Sequence, residues 1–205
     1  MPERFTPENS AQLHDAVERW IEDRELTRTQ LGEIGEWDVS QVTDMAELFM
    51  DYEHFNDPIG DWDTSNVTSM ARMFYGAHAF NQPIGHWNVS GVVTMSHMFS
   101  TAVSFNQPIE NWDVSTVVTM AYMFSGATEF NHPIENWDVS NVTSMVHMFS
   151  DSMFNQPLNG WDVSSVITMR QMFENNHMFN QPLDTWHIQP QRNGPPPPQQ
   201  AVGIH

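Results

Sequence analysis

Five aspartates recur at one position of a repeated segment, directly after a tryptophan. They are Asp38, Asp63, Asp113, Asp138 and Asp162, with Asn88 in the equivalent place and His187 at the end of the series. If successive segments lie above one another at about 4.8 Å, as neighbouring strands do, adjacent carboxylates repel by roughly 1 kcal/mol in water. Another interaction must therefore offset this repulsion.

Two interpretations of these aspartates are open. In the first, each carboxylate accepts backbone N–H bonds near the serine two residues later and faces the positive end of a helix. In the second, the series is a calcium-binding edge or an electrostatic docking site for a cationic partner. Asn88 favours the first, because asparagine makes the same local hydrogen bonds without charge.

The ten histidines do not predict a metal site. Four of them, His86, His97, His132 and His147, lie at positions that differ between segments. His97 and His147 are two segments apart, about 10 Å by the same spacing, which is too far to share one ion without other ligands. No nucleophile triad, phosphate-binding loop or pair of catalytic carboxylates stands out. We therefore expect no enzyme, no metal and no cofactor.

The charge of the chain restricts its partners. Acidic residues outnumber basic ones by 26 to 7, every basic residue is an arginine, and the formal net charge is -19. Such a surface repels phosphate, which excludes nucleic acid as an expected partner. It favours a protein partner with a basic surface, or divalent cations. Because cysteine is absent, disulfides and thiolate metal sites are excluded.

A fixed period organises the elements that carry these residues. The tryptophans occur at steps of 25 residues, with one step of 24. They are Trp37, Trp62, Trp87, Trp112, Trp137, Trp161 and Trp186. A period of this length predicts a solenoid, in which each repeat buries its apolar face only by stacking on its neighbours.

Within one repeat the hydrophobic spacing changes. Trp87 and Val89 alternate with polar residues, which predicts a short strand. Ser90 then precedes apolar residues at intervals of three, which predicts a short capped helix. The asparagine of the following Phe-Asn-Gln-Pro turn is expected to bind backbone groups of adjoining repeats. It recurs at Asn56, Asn81, Asn106, Asn131, Asn155 and Asn180.

Three regions follow from this pattern. Residues 1–36 are predicted to form an N-terminal cap and lead-in, with a helix over residues 7–23. Residues 37–188 form six repeats and a terminal half coil, and residues 189–205 form a proline-rich tail. The consecutive prolines are Pro195, Pro196, Pro197 and Pro198. They favour polyproline II and suit a solvated linker, a docking peptide, or a strap across the open last repeat.

The repeat itself has a recognisable form. The pattern Trp-Asp-Val-Ser-Asn-Val-Thr-x-Met-x-x-Met-Phe, which begins at Trp137, closely resembles the 25-residue repeat of BspA-like surface proteins, familiar from Mycoplasma lipoproteins. Part of it also resembles the strand segment of a leucine-rich repeat. The resemblance covers residues 34–188. It implies an α/β, right-handed, leucine-rich-repeat-like solenoid with parallel strands and one short helix per coil.

The expected function is a non-catalytic, protein-binding solenoid that acts as a structural or scaffolding subunit of a larger assembly. The alternative, implied by the resemblance, is a cell-surface adhesin or receptor-type repeat protein that binds calcium. No signal peptide or membrane-spanning segment is visible in the sequence, so no membrane insertion is expected and an intracellular or organellar location is favoured over the surface.

Overall fold

Two helices form the N-terminal end of the chain. In the computed structural model, which describes residues 4–186, α1 spans Ser10–Glu22, α2 spans Arg24–Leu31, and a single 3-10 turn covers Ile34–Glu36. The helix predicted over residues 7–23 is confirmed as α1, but it begins later, because Asn9 caps it by accepting the Gln12 N–H. The second helix, α2, was not predicted.

The helix α1 covers the first repeat. Its buried face, which includes Leu13 and Trp20, packs on the core, and the Trp20 ring meets Trp37 edge-on at 5.8 Å. The Trp20 indole N–H donates to Asp57 at 3.0 Å, and Arg24 forms an ion pair with the same carboxylate at 2.7 Å. These bonds fix α1 and α2 to the repeat region.

From Trp37 onward the chain forms coils that stack on one another. We number coils 1 to 6 from their first residues, Trp37, Trp62, Trp87, Trp112, Trp137 and Trp161. In each of coils 1 to 5 the same four backbone N–H groups donate to carbonyls of the next coil at 2.7–3.1 Å. In coil 3 the donors are Met95, His97, Phe99 and Thr101.

The predicted fold class is wrong. The described residues contain no β-strand and no sheet, and neighbouring coils share only isolated parallel bridges, such as Thr94 with Thr119. The chain is therefore not a leucine-rich-repeat-like α/β solenoid with parallel strands. Pairing stays isolated because every second N–H in this segment bonds within its own coil, as Met98 N–H does to Met95 O at 3.1 Å.

The helix predicted in each coil is also absent from residues 37–186. The spacing of three between Met95 and Met98 reflects successive turns. Left-handed residues interrupt these turns, with His97 at φ 58° and Thr101 at φ 57°. A left-handed residue reverses the direction of the chain and prevents helical propagation. The N–H of such a residue then points to the next coil.

Phenylalanines form the centre of the core. One column runs through Phe49, Phe74, Phe99, Phe124, Phe149 and Phe173, with ring centroids 5.5–5.7 Å apart. A second column runs through Phe55, Phe80, Phe105, Phe130, Phe154 and Phe179. Within one coil the two rings stack more closely, at 3.9 Å for Phe99 and Phe105. The coils therefore share one continuous aromatic interior.

Each tryptophan from Trp62 to Trp186 binds the chain three residues before the preceding tryptophan. The Trp112 indole N–H donates to Ile84 O at 3.1 Å, and the other tryptophans from Trp62 to Trp186 make equivalent bonds. Trp37 begins the first coil, where no preceding coil exists. Its indole nitrogen is buried and has no hydrogen-bond partner among residues 4–186. The helical cap thus replaces the packing of a preceding coil but not its hydrogen bond.

The asparagine ladder expected from the sequence is confirmed. The side-chain oxygens of the first five asparagines each accept the backbone N–H of the asparagine in the next coil, as Asn81 Oδ1 does from Asn106 at 2.9 Å. This ladder fixes the turn that closes each coil. Together with the inter-coil bonds of the preceding segment, it gives the stack one defined register.

Candidate protein-binding surface

The five aspartates lie at equivalent points of the stack and form a column on its surface. In each, Oδ1 accepts the backbone N–H of the serine two residues later, at 3.1 Å between Asp113 and Ser115. Asn88 makes the same bond to Ser90 at 3.1 Å. We call Asp38, Asp63, Asp113, Asp138 and Asp162 the aspartate column. The first interpretation of these aspartates is confirmed in one part, because each accepts the serine N–H. Its other part is wrong, because the described part of each coil contains no helix for the aspartate to face.

The serines also lower the pKa of four of the five aspartates. The hydroxyl and backbone N–H of Ser115 stabilise the Asp113 carboxylate and hold its pKa below the ordinary 3.8. The pKa values of Asp38, Asp63 and Asp162 are lowered in the same way. At Asp63 the neighbouring Asp38 works against this effect and raises the pKa. The Asp38 carboxylate of coil 1 therefore influences the pKa of Asp63 in coil 2.

The second carboxylate oxygen of each column residue has no hydrogen-bond partner within residues 4–186. Four of the five side chains are exposed and Asp38 is half-buried. Among the described residues, no group of three or more histidines and acids is arranged to hold a metal ion. The second oxygens of the column therefore have no partner among the described residues, and four of the five side chains face solvent.

A second column carries aromatic rings. His97, Tyr122 and His147 stack with centroids 4.4 Å and 4.7 Å apart, and all three are half-buried. We call them the aromatic column. His147 lies 3.3 Å from Glu174, and burial together with Arg72 lowers the pKa of His97 below 6.5. Tyr122 lies between the two imidazoles, so His97 and His147 do not meet at one ion.

The backbone of this column is left-handed in every coil. The equivalent residues have φ between 52° and 61° and are Glu47, Arg72, His97, Tyr122, His147 and Gln171. Four residues later a second left-handed position carries small or polar residues, including Gly76, Gly126 and Asn175. Glycine and asparagine take this conformation most readily. The left-handed backbone at the first position, where the side chains are large, is therefore less favourable in energy. These side chains form the ring stacks and the ion pair between Arg72 and Glu47 at 3.0 Å.

Exposed apolar residues lie in coils 3, 4 and 6, four residues before the position of the aromatic column. Val93 and Val118 are 47% and 40% exposed, and Ile167 in the last coil is 71% exposed. The methionines between the two positions, such as Met95, are buried. The aromatic column was not predicted from the sequence. The recurrence of bulky residues at one coil position was the signal that could have indicated it.

The other two histidines singled out by the sequence, His86 and His132, lie outside these columns. His86 lies 4.0 Å from Asp61, and the His132 ring nitrogen lies 3.1 Å from Asn106 O. Each imidazole thus meets a different partner in the preceding coil. His187, Ile188 and the prolines Pro195, Pro196, Pro197 and Pro198 lie outside the described residues, so the prediction of a docking tail stays a prediction.

The repeat region agrees with a known family. A family model described as Mycoplasma protein of unknown function, DUF285, matches residues 18–132 and 104–194. The chain belongs to the DUF285 family. No curated protein and no solved structure matches it.

Membership of DUF285 corrects the class of repeat expected from the sequence. The likeness to Mycoplasma repeat proteins is borne out, but the DUF285 coil of this chain has no strand among its described residues, so leucine-rich repeat and solenoid are wrong descriptions of it. Neither α1 nor α2 is long and apolar enough to cross a membrane, and the described residues contain no other α-helix.

Proposed function

We propose that the chain is a non-catalytic protein-binding module, a structural or scaffolding subunit that holds a basic segment of a partner protein along the aspartate column. One observation carries this proposal. The exposed carboxylates are already oriented, because one oxygen is bound to a serine N–H and the other is left for a partner. A group held in its bound orientation loses less conformational entropy on binding.

The charges support a basic partner. The net charge of -19 attracts cations over distances of about 10 Å at moderate ionic strength. Each exposed ion pair contributes only about 0–1 kcal/mol, so recognition requires several carboxylates together. Binding should therefore weaken steeply when salt is added. The repetition of one aspartate per coil suits a partner whose cations are also arranged in a row.

Other partly exposed side chains of the stack offer apolar contact area. Val93, Val118 and the rings of the aromatic column are partly exposed, and Tyr122 also carries a hydroxyl. Aromatic side chains are enriched at protein interfaces because they combine a large apolar area with a polar end. A partner that covers both columns would combine charge attraction with burial of these side chains.

The test compares two variants of equal charge. In the column variant, Asp63, Asp113 and Asp138 become asparagine, which Asn88 shows to be compatible with the coil. Affinity capture from the native source identifies the partner, and calorimetry with the purified partner measures the affinity. We expect the column variant to bind about tenfold more weakly or worse, from the loss of three ion pairs.

The control variant removes three acids from the variable tips of coils 1, 4 and 5, through Glu53→Gln, Glu129→Gln and Asp151→Asn. These residues lie outside the aspartate column, and asparagine at 151 keeps the acceptor that Asn175 uses. The control should bind like the wild type. Equal weakening of both variants would mean that only the overall charge matters, and this would overturn the proposed site.

A surface role is the second candidate, because the family is described from Mycoplasma. In that case the chain would be a BspA-like adhesin or receptor, and it would be cut by protease added to intact cells of the native source. Protection of the chain in intact cells, together with capture of one stoichiometric internal complex, would favour the scaffolding role.

A further inference from the structure

Three segments of the coil region have the sequence that accepts an N-linked glycan. This sequence is an asparagine, then any residue except proline, then serine or threonine. The three segments begin at Asn66, Asn88 and Asn141 and read Asn-Val-Thr, Asn-Val-Ser and Asn-Val-Thr. All three asparagines are exposed. Exposure therefore does not distinguish them, and the hydrogen bonds of each side chain decide which one can carry a sugar.

The side-chain nitrogens of Asn66 and Asn141 are already used. Asn66 Nδ2 donates to Ser40 O of the preceding coil at 2.8 Å, and Asn141 Nδ2 donates to Ser115 O at 2.7 Å. A sugar replaces one of the two hydrogens on this nitrogen, and it has to fit beside the neighbouring carbonyl once the coils stack. A glycan at either position therefore works against a contact that joins two coils.

Asn88 has the opposite arrangement. Its Oδ1 accepts the Ser90 N–H at 3.1 Å and the Ser90 hydroxyl at 2.7 Å, whereas its Nδ2 donates no hydrogen bond within residues 4–186. The flanking residues Trp87 and Val89 are buried, so the Asn88 side chain projects from the stack into solvent. A sugar on this nitrogen extends away from the coil and breaks none of its hydrogen bonds.

The other coils show that the turn at this position does not require asparagine. All five have aspartate there, and each aspartate binds the N–H of the serine two residues later in the same way. The acceptor of the turn is therefore supplied equally well by a carboxylate. What Asn88 adds is the amide nitrogen, which is the atom that an N-linked glycan requires.

We infer that Asn88 is an N-glycosylation site and that Asn66 and Asn141 stay unmodified. In this reaction the Asn88 nitrogen attacks the anomeric carbon of an oligosaccharide that a lipid carries on a diphosphate. A carbon–nitrogen bond forms and the bond from this carbon to the diphosphate oxygen breaks. The diphosphate leaves with the electron pair, and one amide proton passes to a base of the transferase. No oxidation or reduction takes place.

This inference is independent of partner binding by the aspartate column. It requires that the chain meets the transferase during export, as the proposed surface role also requires. A glycan in coil 3 would stand between Asp63 and Asp113 of the adjoining coils. It would divide the aspartate column into a pair in coils 1 and 2 and a group of three in coils 4 to 6.

The protein purified from its native source provides the first test. Peptide N-glycosidase in heavy-oxygen water converts a glycosylated asparagine to an aspartate that carries one heavy oxygen atom. Mass spectrometry of the peptides then locates this atom. We expect the label at residue 88 and unlabelled asparagine at residues 66 and 141. An unmodified Asn88 would overturn the inference, and so would a glycan on Asn66 or Asn141.

Variants of the motif in a glycosylating host provide matched controls. Asn88→Asp should abolish the modification and leave the urea midpoint unchanged, because the other five coils carry aspartate at this position. Ser90→Ala should also abolish it, since the motif loses its hydroxyl, whereas Ser90→Thr should keep it. Sugar that remains on Asn88→Asp or on Ser90→Ala would contradict the assignment.

A gain of sugar in the next coil tests the geometry. Asp113→Asn creates the sequence Asn-Val-Ser in coil 4, where the Ser115 hydroxyl already bonds to Asp113 Oδ1 at 2.6 Å. This variant should carry two glycans, and a single glycan would contradict the geometric argument. The column variant of the partner-binding test has the same new motif, so it must be produced in a host without this transferase.

Discussion

Removal of a ring from the middle of the aromatic interior should destabilise the whole stack. The Phe124 side chain is fully buried and has ring partners at 4.1 Å (Phe130), 5.6 Å (Phe99), 5.7 Å (Phe149) and 6.4 Å (Trp137). Phe124→Ala leaves a cavity that neighbouring coils cannot fill, because their backbones are fixed by inter-coil hydrogen bonds. We expect the free energy of unfolding to fall by about 3–5 kcal/mol.

The matched control is Phe173→Ala in coil 6. Among the described residues, Phe173 has only Phe149 and Phe179 as ring partners, at 5.7 Å and 4.0 Å. Each aromatic pair contributes about 0.5–1.5 kcal/mol beyond area burial, so two fewer pairs should make this substitution about 1–3 kcal/mol less costly. Urea unfolding followed by both tryptophan fluorescence and circular dichroism measures the difference and detects unfolding of separate parts.

A continuous aromatic core is refuted if Phe173→Ala costs as much as Phe124→Ala, or if Phe124→Ala leaves the urea midpoint unchanged. Either result would mean that the rings do not act together. A transition that splits into two steps after Phe124→Ala would instead place the interruption at coil 4. That outcome agrees with a linear array, in which each coil contacts only its neighbours.

Three further predictions concern the surface columns and the ladder. Asn106→Ala should lower the free energy of unfolding by about 0.5–1.5 kcal/mol, because the Asn131 N–H loses its acceptor. The control Asn106→Asp keeps an acceptor and should lower the free energy of unfolding less. Urea titration of both variants measures the difference. Calcium should leave the melting temperature unchanged if the aspartates serve as turn acceptors, and a marked rise in calorimetry would contradict that role. Burial and Arg72 lower the pKa of His97 in the folded protein, so the folded state binds a proton less readily and the wild type loses stability as pH falls below about 6.5. His97→Tyr gives coil 3 the residue that coil 4 has at Tyr122, and it should reduce this loss of stability. Urea midpoints measured at about pH 7.5 and 5 test this. If the two midpoints differ as much in the variant as in the wild type, His97 is not the cause of the pH dependence.

The aspartates show what local sequence can and cannot predict about a surface site. Asp113 and Ser115 are two residues apart, and a carboxylate followed by such an N–H forms its bond within one turn. The stacking of His97 on Tyr122 joins residues 25 positions apart. It depends on a left-handed backbone that neither residue favours, so no local propensity indicates it. Only the inter-coil bonds place these rings together.

The sequence alone determined the period, the division into coils, the buried faces and the asparagine ladder. These features follow from the repetition of residue types, since identical segments that bury the same side chains must stack in register. Tertiary structure decided the conformation within each coil. Apolar residues three apart suit a helix and a series of turns equally well. The His97 N–H could donate its hydrogen bond in either conformation. The carbonyl of Ala121 in the next coil accepts it at 2.9 Å, and this long-range bond stabilises the turns in place of the strand and helix that were expected.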